Sequence, residues 1–103
     1  MINLVEGWTV PIDYVVKADG TAVNLNTHTA IGIQAKDAYG ETIVLAGTAA
    51  FQDRPNGVVR YSPTASDFDA NHSPYYVRFK IADSDDKYAF FPDAEGEKWV
   101  IRA

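Results

Sequence analysis

The chain has 103 residues, 47% of them hydrophobic, which is one domain's worth of length and enough apolar material for a single core. Lys and Arg number 9 against 14 Asp and Glu, and the resulting net charge of −5 excludes a protein built mainly to neutralise nucleic-acid phosphates and argues against anionic membrane surfaces as partners. With no Cys in the chain, a disulfide framework, a thiolate metal site and a cysteine nucleophile are all excluded.

Val and Ile total 17 against 3 Leu, and 13 residues are aromatic, a balance that suits a pleated, half-buried surface better than helical packing. Residues 1–7 carry neither a basic run nor an apolar stretch long enough for a signal peptide, and no later window approaches a transmembrane span. This segment reads as an amino-terminal arm or an edge strand, on a chain expected to begin at its natural methionine and to fold in a cytoplasm. Trp8, Val10, Ile12, Tyr14 and Val16 then share one phase, and Pro11 among them predicts an edge strand or a bulge. The same period of two recurs at Ile31, Ile33 and Ala35, at Ile43 and Leu45, and at Val59 and Tyr61. The segment Pro63 to Asp69 begins with a capping pattern and predicts one helical turn at a corner. Alternation is clearest at Tyr75, Val77, Phe79 and Ile81, with Arg78 and Lys80 between, and continues through Tyr88 and Phe90 to Trp99 and Ile101.

Turn chemistry separates these runs at 18–21, 37–40, 54–57, 83–86 and 92–96, where Gly, Asn, Asp and Pro supply positive φ or preset a bend. Short strands at this spacing predict an all-β sandwich in preference to a small barrel. No repeat, linker or low-complexity tract divides the chain, so residues 1–103 read as one domain.

His28 and His72 are far apart and in no ligand spacing, so both read as loop or surface histidines. The run Asp83-Ser84-Asp85-Asp86 has carboxylates but lacks the length, central Gly and terminal Glu of a calcium loop, and reads as a solvated turn. No pair of carboxylates is marked as opposed across a cleft, and Ser66 and Ser73 near His72 have no nucleophile elbow around them. Asn71-His72-Ser73 is a glycosylation sequon without a secretory signal. No enzymatic activity, metal or cofactor is therefore expected.

The aromatics Trp8, Tyr14, Tyr61, Tyr75, Phe79, Tyr88, Phe90 and Trp99 fall on the apolar phase and predict core packing, whereas Tyr76 and Phe91 should point outward. If that phase faces the core, Arg78, Lys80, Lys87, Lys98 and Arg102 face out. Consecutive strands are usually neighbours, so these five bases gather with Tyr76, Phe91 and Val100 on one sheet face. Two readings fit such a face: a solvated outer sheet guarded by cations, or an interface for a partner carrying an acidic patch.

Several segments carry a resemblance. They are the strand Trp8 to Val16 leading into Asp19-Gly20-Thr21-Ala22-Val23-Asn24-Leu25, the strand Ala30 to Ala35, and Asn56-Gly57-Val58-Val59-Arg60-Tyr61. The corner Thr64-Ala65-Ser66-Asp67-Phe68-Asp69, the strand Tyr75 to Ile81, the turn Asp83-Ser84-Asp85-Asp86-Lys87 and Phe90-Phe91-Pro92 complete them. Together the chain resembles the amino-terminal immunoglobulin-like domain of bacteriophage baseplate upper proteins and related small virion modules. Where those domains usually reach the Tyr-bearing strand through a Gly, this chain has Asn71-His72-Ser73-Pro74.

The resemblance implies an immunoglobulin-like antiparallel β-sandwich of about seven strands. It further implies a non-enzymatic virion protein, made in the host cytoplasm, that docks to other tail, baseplate, neck or capsid proteins and is repeated within the particle. A carbohydrate-binding or adhesin module is the alternative on the same fold.

Overall fold

The structure is a computed structural model that describes residues 2–18, 20–83, 85, 87–92 and 96–103. Strands account for nearly all of its regular structure. They run in the order β1 (Ile2–Val5), β2 (Ile12–Val15), β3 (Lys17–Ala18), β4 (Thr21–Ala22), β5 (His28–Lys36), β6 (Thr42–Ile43), β7 (Thr48–Asp53), β8 (Val58–Ser62), β9 (Tyr75–Asp83), β10 (Tyr88–Phe91) and β11 (Glu97–Arg102). A six-stranded sheet has the order β1-β11-β9-β5-β6, with β10 also paired to β9, and a three-stranded sheet has the order β2-β8-β7. β3 and β4 form a small separate hairpin.

This is an immunoglobulin-like sandwich. β2, β8 and β7 take the places of strands B, E and D, while β11, β9, β5 and β6 take those of G, F, C and C′. One pairing departs from the expected antiparallel pattern, because β1 lies parallel to β11, with Ile2 opposite Trp99 and Leu4 opposite Ile101. The amino-terminal segment is thus an edge strand of the larger sheet.

The apolar phase of the strands builds the core. Val59, Tyr61, Tyr75, Val77, Phe79, Ile81, Trp99 and Ile101 are all buried, as expected, and Val16, Leu25 and Phe68 complete the centre. Tyr14 of the small sheet stacks on Phe79 of the large one at 5.4 Å between ring centroids, which ties the layers together. Phe68 sits among Tyr61, Tyr75 and Trp99, with centroids 6.2, 5.3 and 5.5 Å away.

The first expected strand is shorter than its alternation suggested. Trp8 N–H donates to Val5 O at 3.1 Å and its indole donates to Val10 O at 2.9 Å, so residues 5–10 form a turn around Gly7, whose φ is 83°. Val10 is consequently exposed. The strand begins only after Pro11, on the outer edge of its sheet, where a missing N–H does no harm.

The corner between β8 and β9 also differs from expectation. Its helical turn lies later than residues 63–69, as a 3-10 turn over Ala70–His72 capped by Asp69, whose carboxylate accepts from Asn71 N–H at 2.7 Å. The preceding segment is organised instead by Asp67. This buried carboxylate accepts from Ala46 N–H at 2.8 Å, Gly47 N–H at 3.2 Å, Thr64 N–H at 3.1 Å and the Thr64 hydroxyl at 2.9 Å. The Tyr61 hydroxyl donates to it as well, through a short bond.

Burial alone would raise the Asp67 pKa, but the bonds from Tyr61, Ala46 and Thr64 outweigh it and hold the carboxyl below its ordinary range. The Tyr61 phenol is pushed the other way, by burial first and then by the carboxylate it faces. Further along, Tyr75 accepts from Asp69 N–H at 3.0 Å, a hydroxyl-to-upstream-backbone bond of the kind that marks the tyrosine corner of immunoglobulin-like sandwiches.

Candidate docking face

Strand register decides what the outer face of the large sheet carries. On β9 the core residues are Tyr75, Val77, Phe79 and Ile81, so Tyr76, Arg78, Lys80 and Ala82 point away from the core. Pairing carries that face sideways. Lys98 of β11 and Lys36 of β5 flank Tyr76, Gln34 lies opposite Arg78, Gly32 and Phe90 lie opposite Lys80, and Ala30 and Tyr88 lie opposite Ala82. Val100 and Arg102 continue it along β11, beside Asn3 and Val5 of β1. None of these register positions among the described residues holds Asp or Glu.

Six of the eight residues expected on this face lie on it: Tyr76, Arg78, Lys80, Lys98, Val100 and Arg102. Phe91 does not. It lies opposite Phe79 and packs against the core, which makes Tyr88 and Phe90 the outward pair on β10. Tyr88 is 57% exposed, and the expectation that these two rings enter the core is corrected accordingly. The physical reason is hairpin parity. Ile81 pairs with Ala89, so odd-numbered residues of β10 share the core face with odd-numbered residues of β9. Lys87 stands at the end of that hairpin, where it lines a shallow recess with His28, Asp83 and Phe91 instead of joining the basic face.

The exchange gives the face its main structure. The Arg78 guanidinium lies 3.8 Å from the centre of the Phe90 ring and donates to Gln34 Oε1 through Nε at 3.1 Å and Nη2 at 2.9 Å. The Lys80 ammonium stands 4.2 Å from the centre of the Tyr88 ring, and the two rings meet edge to face at 5.6 Å. Cation and ring alternate across two strands, each cation held by an aromatic quadrupole. Sequence reasoning found Arg78 and Lys80 but missed Tyr88, Phe90, Gln34 and Lys36. Lys36 was recoverable, since it is out of phase with Ala35 and Ile33.

The opposite outer face carries a charge pair of its own. There Arg60 donates from Nε to Asp13 at 2.7 Å and from Nη2 at 3.1 Å, a self-contained pair across β2 and β8. That bond holds the Asp13 carboxyl below its usual range.

His28 and His72 stay apart, at the start of β5 and the end of the 3-10 turn. Among the described residues no group of three or more His, Asp and Glu is arranged to hold a metal ion, and no helix is long and apolar enough to cross a membrane. Ser84 and Asp86 of the expected carboxylate turn lie outside the described residues. Asp83 uses its own carboxylate to accept from Asp85 N–H at 2.9 Å and Lys87 N–H at 3.1 Å, which organises the turn locally. The melting temperature is accordingly expected to be the same in calcium and in chelator. A rise of several degrees on adding calcium would favour the adhesin alternative.

Three comparisons with known proteins found no similar protein: no family model matches the chain, and neither a curated protein nor a solved structure matches it significantly.

Proposed function

We propose that the chain is a non-enzymatic structural module of a bacteriophage virion, which docks to another particle protein through the outer face of its large sheet. The observation that carries the docking part is the cation and ring ladder of Lys80, Tyr88, Arg78 and Phe90. Aromatic and Arg side chains are the commonest anchors of protein interfaces, and here they are already ordered against each other, so less conformational freedom is lost on binding. A chain of net charge −5 that gathers basic residues on one face suits a partner with an acidic patch.

The virion assignment rests on the resemblance of the strand and turn order to phage immunoglobulin-like modules. In a particle, repetition would turn modest single contacts into lasting attachment where copies share a partner.

The test is the double variant Arg78→Glu, Lys80→Glu. Its unfolding curve is expected to match the parent within about 1 kcal/mol, as for surface substitutions generally, while its incorporation into purified particles is lost. Normal incorporation of a folded double variant would reject this face.

A further inference from the structure

The large sheet ends in an open edge. β5 pairs with β9 along its whole length, but on its other side only Ala35 and Lys36 are paired, with Ile43 and Thr42 of β6. Among the described residues, no backbone hydrogen bond from a turn or loop reaches residues 29–34. That leaves roughly 20 Å of strand with one side of its backbone groups unpaired.

Edges of this kind are normally blunted by charge, proline or a bulge. β5 has one irregularity, between His28 and Ala30 at its very start, and Thr29-Ala30-Ile31-Gly32-Ile33-Gln34 holds neither a charged residue nor a proline. The neighbouring open edge, β7, is broken by a register shift between Phe51 and Asp53 and carries Asp53 itself.

Gly32 adds an independent sign. Its φ is not in the left-handed region, and a Cβ built on it meets nothing within 4 Å. Neither the backbone nor the packing of this chain calls for glycine there, although glycine weakens a strand. With no side chain at this position, the outer face beside Lys80 stays open to a group that approaches from the edge.

The charges select the occupant. On the outer face Lys36 belongs to the edge strand itself, and Lys80 lies directly opposite Gly32. Pairing β5 with β5 of a second copy would bring two such basic faces side by side. An extended segment with carboxylates on that face would meet Lys36, and across the side-chain-free Gly32 it would meet Lys80. Its alternate apolar side chains would cover the half-buried Ile31 and Ile33.

We infer that the open edge of β5, residues 29–34, accepts an extended acidic segment of a partner protein as an added strand. The inference deepens the docking reading above by naming the partner's conformation and chemistry.

The test uses the full chain and an acetylated, amidated peptide of four Glu-Val repeats at millimolar concentration and low salt, read by amide hydrogen exchange. Exchange of the amides in 29–34 is expected to slow about tenfold or more, with β7 unchanged. A peptide N-methylated at alternate residues, on the set of amides facing β5, is expected to lose this protection. So is the chain variant Gly32→Glu, which sets a carboxylate beside Lys80 where the acidic segment would lie. Unchanged exchange in 29–34 overturns the inference, as does equal binding by the parent peptide and both alternately N-methylated peptides.

The two readings separate in particles. Gly32→Glu incorporating normally while Arg78→Glu, Lys80→Glu does not would reject strand addition and leave face docking standing.

Discussion

Replacing Asp67 with Ala is expected to lower the unfolding free energy by about 2 to 4 kcal/mol at neutral pH, because it takes the shared acceptor from the buried Tyr61 hydroxyl and from several part-buried donors. The Ala46, Gly47 and Thr64 N–H groups and the hydroxyls of Thr64 and Tyr61 all converge on this one carboxylate. The Asn variant, which keeps the shape but has only one oxygen, should lose about 1 to 3 kcal/mol. Both losses should depend on pH. The folded carboxyl is held below its ordinary range, so its contribution is fully present above the unfolded value of about 3.9. It is lost as pH falls through the folded value, which lies lower still. Urea denaturation of parent and Asn variant at neutral pH and again near pH 2 checks this: the gap between their midpoints narrows in acid. A gap that is constant, or that widens in acid, would show that the carboxylate is not the hub of the corner.

Truncating Trp99 or Phe79 to Ala is expected to cost about 3 to 5 kcal/mol each, a large fraction of the stability of a domain of this size. Trp99 is fully buried and Phe79 is 1% exposed, and each touches an aromatic ring from elsewhere in the core, Phe68 in one case and Tyr14 in the other. Tyr88→Ala is the control, with a change under about 1 kcal/mol, because its ring lies on the outer face. Measured together, the three variants test strand phase. A loss at Tyr88 comparable to that at Phe79 would mean that β10 is turned over.

The same comparison shows what was legible in the amino-acid order. Within a strand, alternation is a direct record of which face is dry, and Tyr75 to Ile81 reads without error because both faces are strongly marked. Across a turn the record breaks. Parity between β9 and β10 is decided by how many residues the hairpin loop holds, and side-chain hydrophobicity misleads there, since the aromatic rings of Tyr88 and Phe90 lie outside as supports for cations. Trp8 and Val10 mislead for a related reason: a local indole-to-carbonyl bond closes a turn that keeps the period of two without forming a strand. Asp67 was visible only as part of a capping pattern. Its role depends on Ala46 and Gly47, which are distant in sequence, and nothing local points to them. The open edge of β5 is a property of sheet order and has no local signature beyond an uncharged run with a glycine in it.

The parallel pairing of β1 with β11 bears on how the chain comes to be folded. Leu4 is buried against a strand that contains Trp99 and Ile101, with nearly the whole sandwich between them in sequence. Until β11 pairs, the large sheet lacks two strands and the core lacks its largest side chain. The apolar residues therefore lack a finished interior until β11 is available, and closing the sandwich joins β1 to a strand distant from it in sequence. Such long-range closure belongs to the slow end of two-state folding, in milliseconds to seconds. It makes the interval before β11 pairs, when strand edges are still uncovered, the period of greatest risk of aggregation.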